Sequence, residues 1–443
     1  MTTALQTDHY ELTMADAALA EGTADTPVVF EAFARRLPEG RRYGVVGGTG
    51  RLLDAIDNFR FSDADGSLAE LIYLRERGFL SEQTLDYLRD YRFTGQIDGY
   101  AEGDLYFPYS PIFTVRGTFA ECVVLETLIL STLNHDSAIA SAASRMRTAA
   151  GLATLLEGGG RRTDPDAATA CARAAYIGGF DATSNLAAGF LYGVPTGGTA
   201  AHAWTLLHTD ERAAFRAQAE RYGHDTTFLV DTYDIPTGIK NAVEVCREVT
   251  GRFPANIRID SGDLAAEAKK ARVLLDSLDA AVTKITVSGD LDEYLIDKLV
   301  KADAPIDGFL VGTKLVTGSG HPTAEMVYKL VAIGNGDGTY RPVEKRSSGK
   351  ASVGGRKHAF RVLETEGHAV EEQVVVRFTD DDPQSTPLAR ALQHPMVRDG
   401  KRVNPHIGTL VHARQTHHGA MAELRPMHRG IEAGRPALSA APN

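Results

Sequence analysis

Short apolar runs that end in small polar or glycine-rich turns recur through the middle of this chain. Leu229-Val230 leads into Asp231-Thr232, and Ile257-Arg258-Ile259 into Asp260-Ser261-Gly262-Asp263. Ile285-Thr286-Val287 leads into Ser288-Gly289-Asp290, and Phe309-Leu310-Val311 into Gly312-Thr313. The first three are each followed by a helical pattern. This predicts strand, loop and helix repeated around a sheet or barrel, in a β/α region from about 157 to 334. Helices are expected near 165–177, 182–192, 236–250, 263–279 and 291–303. In such folds ligands bind where the strands end.

The flanks read differently. Residues 7–22 predict a first helix, with Asp8 as its cap and Glu11 completing a capping box. Val28–Phe33 predicts a strand. Val45–Gly50 reads as strand and glycine turn before a helix over Leu52–Ile56, but its glycines do not have the G-x-G-x-x-G spacing of a dinucleotide loop. Residues 95–118 alternate apolar and polar with Gly and Pro between, which predicts short antiparallel strands. A helical stretch follows from about 120 to 156. Beyond 335, Lys357–Glu364 and Glu372–Phe378 look like strands, and a helical tail starts near 405. The expected fold is α/β. Residues 1–135 and 335–443 form one split α+β domain, and residues 136–334 form the barrel inserted between them.

With 443 residues, 43% of them apolar, the chain can build two or three domains around a large core. A net charge of −11 argues against nucleic acid and anionic membrane as partners. Any phosphate site must therefore be local. The three cysteines, Cys122, Cys171 and Cys246, are far apart and form no C-x-x-C pair. That pattern argues against disulfides and a structural zinc, and suits a reducing cytoplasm. The N-terminus has no basic-then-apolar signal pattern. The most apolar stretch, 120–133, carries Glu121 and Glu126 and reads as a core helix.

Unusual residues gather between 161 and 204. Arg161-Arg162 follow Gly158-Gly159-Gly160. They read either as a solvated pair or as a guanidinium turned inward, where its planar fork suits a carboxylate. Gly178-Gly179-Phe180-Asp181-Ala182-Thr183-Ser184-Asn185 precedes an apolar helix, and an N-cap explains only one of its polar residues. Gly197-Gly198-Thr199-Ala200-Ala201-His202-Ala203-Trp204 places a histidine in a small-residue loop beside the only tryptophan. Such a histidine is either structural or an accessible base or nucleophile toward phosphate. The Ser-Gly-Asp turns offer glycine backbone and helix N-termini to an anion, and carboxylates to sugar hydroxyls or a metal.

These stretches together resemble the nicotinate phosphoribosyltransferase family of NAD salvage. The likeness rests on Thr7-Asp8-His9-Tyr10-Glu11-Leu12-Thr13-Met14, Arg161-Arg162, Ala174–Asn185, Gly198–His202, Arg258–Leu264 and Gly312-Thr313, in the family order. The resemblance implies a type II phosphoribosyltransferase: an irregular β/α barrel with a split α/β domain, in a head-to-tail homodimer with shared active sites. The implied reaction joins nicotinate to phosphoribosyl pyrophosphate and releases pyrophosphate. ATP hydrolysis is coupled through a phosphohistidine, here His202, and Mg²⁺ is expected on the pyrophosphate. Arg161 of the Arg161-Arg162 pair would meet the nicotinate carboxylate, with Arg258 lining the same pocket. Tyr10 would close that pocket from the partner subunit. Asp260, beside Ser261 and Gly262, and Asp290, beside Ser288, would hold the ribose. Gly289, Gly312 and Thr313 would cradle the 5′-phosphate, and Gly198-Thr199 lead into the histidine.

The chain departs from the family where many members have a Phe-Gly-x stretch and this one has Gly158-Gly159-Gly160. The second aromatic wall of the pyridine site is therefore expected from Phe180 or Tyr176. The basic run Lys345-Arg346-Ser347-Ser348-Gly349-Lys350 reads as a solvated hairpin or as a contact to a nucleotide phosphate. Rival readings are a nicotinamide or quinolinate phosphoribosyltransferase and a non-catalytic nucleotide-binding paralogue. Intact His202, Asp260, Asp290 and Arg161 argue against the last of these.

Overall fold

The computed structural model describes residues 3–61, 68–345, 353–379, 386 and 388–440. Two compact units emerge, one from residues 1–141 and 321–443 and the other from residues 142–320. Of the basic run Lys345–Lys350, all but Lys345 lies outside the described residues.

In the first unit the two ends of the chain share one seven-stranded sheet. Across it run Tyr340–Pro342, Met326–Gly334, Pro27–Ala34, Phe113–Thr118, Gln96–Tyr100, Gln393–Arg398 and Lys401–Arg402. The strand Pro27–Ala34 pairs antiparallel with Met326–Gly334 on one side and Phe113–Thr118 on the other. Its residues are buried almost throughout, as a strand covered on both faces requires. Phe30 stacks on Tyr328 with ring centroids 4.7 Å apart. A buried ion pair adds to this seam, with Lys357 Nζ donating to Glu31 at 2.7 Å. The strand Met326–Gly334, expected inside the barrel region, thus belongs to this sheet. An apolar run does not reveal which sheet it will join, so the boundary moves from 334 to 320.

One local expectation changes, and one holds, with a strand at Gly44–Val45, a glycine turn and a helix at Thr49–Asp57. The first helix, His9–Glu21, is capped by Asp8, but Glu11 does not complete a capping box. Its buried carboxylate instead accepts from Thr127 N at 2.9 Å and Thr7 Oγ1 at 2.6 Å. The glycine turn before the helix Thr49–Asp57 is already filled. The Glu102 carboxylate accepts from Gly48 N at 2.6 Å and Gly50 N at 3.1 Å, where a nucleotide phosphate would sit in a dinucleotide loop.

The second unit is a six-stranded parallel sheet. Its strands in chain order are β1 (Thr154–Glu157), β2 (Ala182–Thr183), β3 (Thr227–Leu229), β4 (Asn256–Ile259), β5 (Lys284–Ser288) and β6 (Gly308–Val311). Their order across the sheet is β2-β1-β6-β5-β4-β3, which leaves the barrel open between β2 and β3. Ile257, Ile259, Ile285, Val287, Phe309 and Val311 are fully or almost fully buried between sheet and helices. Expected helices are found at Pro165–Ile177, Leu186–Tyr192, Ile235–Thr250, Leu264–Ser277 and Glu293–Lys301. The stretch expected to be helical to 156 leaves the helix after Ala150, and its last residues enter β1. The helices His202–Leu207 and Glu211–Tyr222 have no counterpart in the sequence pattern. Among the described residues, no helix is long and apolar enough to cross a membrane. All three cysteines are buried, and none is in a disulfide among the described residues.

Candidate active site

Parallel strands end on the same side, so the turns after β1 and β3–β6 converge. This brings together Arg161 and Arg162 after β1, Asp231 after β3, and Asp260, Ser261 and Gly262 after β4. Gly289 and Asp290 follow β5, whose last residue is Ser288, and Gly312 and Thr313 follow β6.

The centre of the cluster is a chain of hydrogen bonds. Asp231 Oδ2 accepts from Asp260 N at 2.9 Å and from Ser261 Oγ at 2.7 Å. Asp260 Oδ1 accepts in turn from Ser288 Oγ. Among the described residues the other Asp231 oxygen, Oδ1, has no hydrogen-bond partner, and it lies 3.9 Å from His202 Nε2. The Asp231 side chain is 2% exposed, whereas that of His202 is 40% exposed. His202 Nδ1 is 3.2 Å from Thr232 Oγ1. A carboxylate on the Nε2 side favours the proton there and leaves the lone pair on Nδ1, to which the Thr232 hydroxyl donates.

The glycine turns hold this arrangement closely. Gly289 has φ +118°, and a Cβ there would come within 2.9 Å of the Asp260 carbonyl oxygen. Any side chain would push β5's turn off β4's. Asp263 caps the helix Leu264–Ser277 by accepting from Ala266 N at 3.2 Å. That leaves Asp260 as the carboxylate of this turn that faces the cluster.

Cations approach from two sides. Arg258 Nη1 donates to Thr199 Oγ1 and ties β4 to the segment before His202. Burial draws Arg258 below the ordinary arginine value, a shift opposed by the charges of Asp260 and Asp231 and increased by that of Arg161. The guanidinium nonetheless stays charged at neutral pH. Arg161 and Arg162 are exposed at the mouth of the cluster. Their loop is held by close packing rather than by flexibility: a Cβ on Gly159 would lie 2.2 Å from Val316 Cγ1. The segment Gly198–Ala200 also borders a cavity of about 620 Å³ lined by Trp204 and Arg221.

Two expected residues do not join the cluster. Phe180 is 1% exposed, in the core, and precedes β2. It lies at the opposite end of the strands from the turns, so it cannot wall a pyridine pocket. Tyr176 lies in the last turn of the helix Pro165–Ile177, which returns the chain to that same opposite end. Tyr10 belongs to the first unit, where it is 44% exposed on the helix His9–Glu21. Burial, followed by the nearby charge of Glu126, raises its phenol.

Sequence reasoning assigns no role to Asp231, Thr232 or Glu157. Asp231-Thr232 stands after β3 where Asp260-Ser261 stands after β4, and this repetition is the available signal. Glu157 is the last residue of β1. Burial raises its carboxyl, opposed by hydrogen bonds from Thr183 and Gly159.

Comparison with known proteins places these features in a family. Residues 5–134 match the nicotinate phosphoribosyltransferase (NAPRTase) N-terminal domain. A nicotinate phosphoribosyltransferase of Mycobacterium tuberculosis is 53% identical over 442 residues, covering 98% of this chain and 94% of the relative. One from Bacillus subtilis is 39% identical, covering 85% of this chain and 76% of the relative. The crystal structure of human nicotinic acid phosphoribosyltransferase shares the fold, with a TM-score of 0.82 at 23% identity over 97% of this chain and 96% of that one. Identity above one half along nearly the whole chain, on a fold whose strand ends carry the motifs described above, makes this protein an enzyme of the nicotinate phosphoribosyltransferase family.

Proposed function

We propose that the enzyme transfers the phosphoribosyl group of phosphoribosyl pyrophosphate to nicotinate, giving nicotinate mononucleotide and pyrophosphate in NAD salvage. ATP hydrolysis drives the transfer through a transient phosphohistidine at His202. The carrying observation is the bonded chain from Asp231 through Asp260 to Ser288, with a histidine at one end and arginines at its rim.

The pyridine nitrogen is itself the nucleophile at the anomeric carbon. The bond to pyrophosphate breaks as the C–N bond forms, through a state with positive charge on the ribose. Asp260, fixed by Ser288, supplies negative charge beside that ribose, and its effect grows as the charge develops. Arg161 and Arg258 supply cations for the nicotinate carboxylate, which sets its preference over an uncharged amide. Gly289, Gly312 and Thr313 offer backbone to the 5′-phosphate. Among the described residues, no three His, Cys, Asp or Glu side chains converge as a metal-ligand set. Mg²⁺ would enter with the pyrophosphate of the substrate.

In the coupling step the Nδ1 lone pair of His202 attacks the γ-phosphorus of ATP. An N–P bond forms as the bond to the β-phosphate oxygen breaks, and ADP leaves. The Asp231 carboxylate, 3.9 Å from Nε2, stabilises the positive charge that the ring gains. Later hydrolysis returns the histidine and phosphate.

A homodimer is part of this reading. The helices Leu186–Tyr192 and His202–Leu207 present Leu186, Phe190, Leu191, Leu206 and Leu207 to solvent, with Phe190 89% exposed in the single chain. Exposed apolar side chains in this number support a covering partner, and Tyr10 is the ring proposed to come from that partner.

Labelling with γ-labelled ATP tests the coupling. Acid-labile label on the parent and none on His202→Ala, with a slow ATP-independent transfer retained by the variant, is the expected result. Equal labelling of both proteins overturns it.

A further inference from the structure

Glu157 is a buried carboxylate that ends β1 after two leucines, and the reaction steps above do not use it. It is 1% exposed, and among the described residues no Lys or Arg charge contributes to its titration. Both of its oxygens are nonetheless engaged. Oε1 accepts from the backbone N–H of Gly159, and Oε2 from the hydroxyl of Thr183. A buried carboxylate without a cation is costly to keep, and Leu or Val would fill a strand end with less penalty. Its contacts therefore need an explanation beyond packing.

Those contacts join three segments of the site. Through Gly159 the carboxylate holds the turn that carries Arg161; within that turn Arg162 N donates to Gly159 O at 2.8 Å. Through its own carbonyl Glu157 accepts from Ser184 N at 2.8 Å. Thr183 continues the link. Its Oγ1 accepts from Asn185 N at 2.9 Å. Its backbone N–H donates to Pro195 O, and its carbonyl accepts from Gly197 N, both at 2.9 Å. Gly197 opens the segment Gly198–Ala201 that runs into His202, whose Thr199 accepts from Arg258. One side chain and one hydroxyl thus stand between the turn of the carboxylate-binding arginine and the approach to the histidine.

We propose that Glu157 is a positioning residue that, through Thr183, holds the arginine turn and the segment leading to His202 in one arrangement, so that pyridine binding and histidine phosphorylation depend on the same junction. This rests on the reading of the site given above. The carboxylate touches no substrate; it fixes the backbone from which Arg161 and His202 project. Contiguous hydrogen bonds are a route for such dependence, and measured coupling is what establishes it.

The test uses Thr183→Val, which removes the hydroxyl at nearly constant shape, Thr183→Ser, which keeps it, and Glu157→Gln. For each, the nicotinate KM, the kcat and the rate of label transfer from γ-labelled ATP to His202 are measured, with thermal midpoints recorded alongside. Losing one bond to a buried acceptor predicts a rise in nicotinate KM of about tenfold in Thr183→Val. Labelling of His202 should slow by a similar factor, while kcat at saturation stays within about threefold. Thr183→Ser should behave as the parent. Glu157→Gln, which can still accept from Gly159, should fall between, and it provides the test if Thr183→Val does not fold. Both rates in Thr183→Val within about twofold of an active parent would overturn the proposal, as would a raised KM with labelling unchanged. A parent that does not turn over nicotinate removes the functional reading itself, and the proposal with it.

Discussion

Asp231→Asn is expected to stop His202 from accepting a phosphoryl group while leaving the fold in place. The introduced amide can keep its carbonyl oxygen on Asp260 N and Ser261 Oγ, so the bonds that Asp231 Oδ2 now accepts at 2.9 Å and 2.7 Å survive. Its NH₂ group would then face His202 Nε2, where a carboxylate oxygen now lies 3.9 Å away. An N–H donor at that point turns Nε2 into the acceptor and moves the ring proton to Nδ1, which removes the nucleophilic lone pair. The lost attraction between carboxylate and charged ring is about 4 kcal/mol at this separation with an effective dielectric near 20. Because the His202 side chain is 40% exposed, solvent screening reduces this to about 2–3 kcal/mol. That predicts phosphorylation about 30- to 150-fold slower than in the parent. Rapid-quench labelling with γ-labelled ATP measures it, with thermal unfolding as the control for the fold. Labelling within about threefold of the parent, in a variant that melts as the parent does, would refute the tautomer argument.

Arg161→Ala should raise the nicotinate KM by about 10- to 100-fold and change selectivity toward nicotinamide, because an exposed cation contributes mainly to carboxylate recognition. An unchanged KM in initial-rate assays would move that contact to Arg162 or Arg258. Mixing Tyr10→Ala with His202→Ala, each without ATP-stimulated transfer, should regenerate that stimulated activity, because one heterodimer site then carries both lesions and the other neither. No recovery under proven subunit exchange would confine Tyr10 to its own chain. His417 is lowered by burial to about 4 from its ordinary 6.5. The unfolded chain therefore binds the extra proton first, and stability should fall as pH drops from about 6.5 toward 4. Between about pH 8 and 4.5 the parent should lose about 2.5 kcal/mol more than His417→Gln in urea unfolding; equal losses would show that His417 does not titrate this way.

The strand ends were legible because apolar runs followed by Asp-Ser-Gly or Ser-Gly-Asp turns have both the period and the stop signals of parallel strands. The helix Glu211–Tyr222 was not, because its sequence is mostly charged and alanine and shows little apolar stripe. The place of the strand Met326–Gly334 was not legible, because its partner Pro27–Ala34 lies some 300 residues away and no local pattern encodes that pairing. Phe180 was misplaced for a related reason. Residues 174–185 span one strand approach, and whether an aromatic side chain there reaches the pocket or the core depends on which end of the sheet it meets. Asp231 was visible as a residue but not as a partner. Its role follows from the distance to His202, which lies on an element that local pattern did not predict.

The proposed reaction is a nicotinate-specific phosphoribosyl transfer accelerated by ATP. Initial rates with purified enzyme, phosphoribosyl pyrophosphate and Mg²⁺ test it most directly, with nicotinate, nicotinamide or quinolinate as acceptor and with or without ATP, following mononucleotide, pyrophosphate and phosphate together. Nicotinate mononucleotide and pyrophosphate are expected in equal amounts from nicotinate alone among the three acceptors, at a rate raised by ATP with concurrent release of phosphate. Turnover of nicotinamide or quinolinate at a comparable rate, or nicotinate turnover indifferent to ATP with no phosphate released, would contradict it.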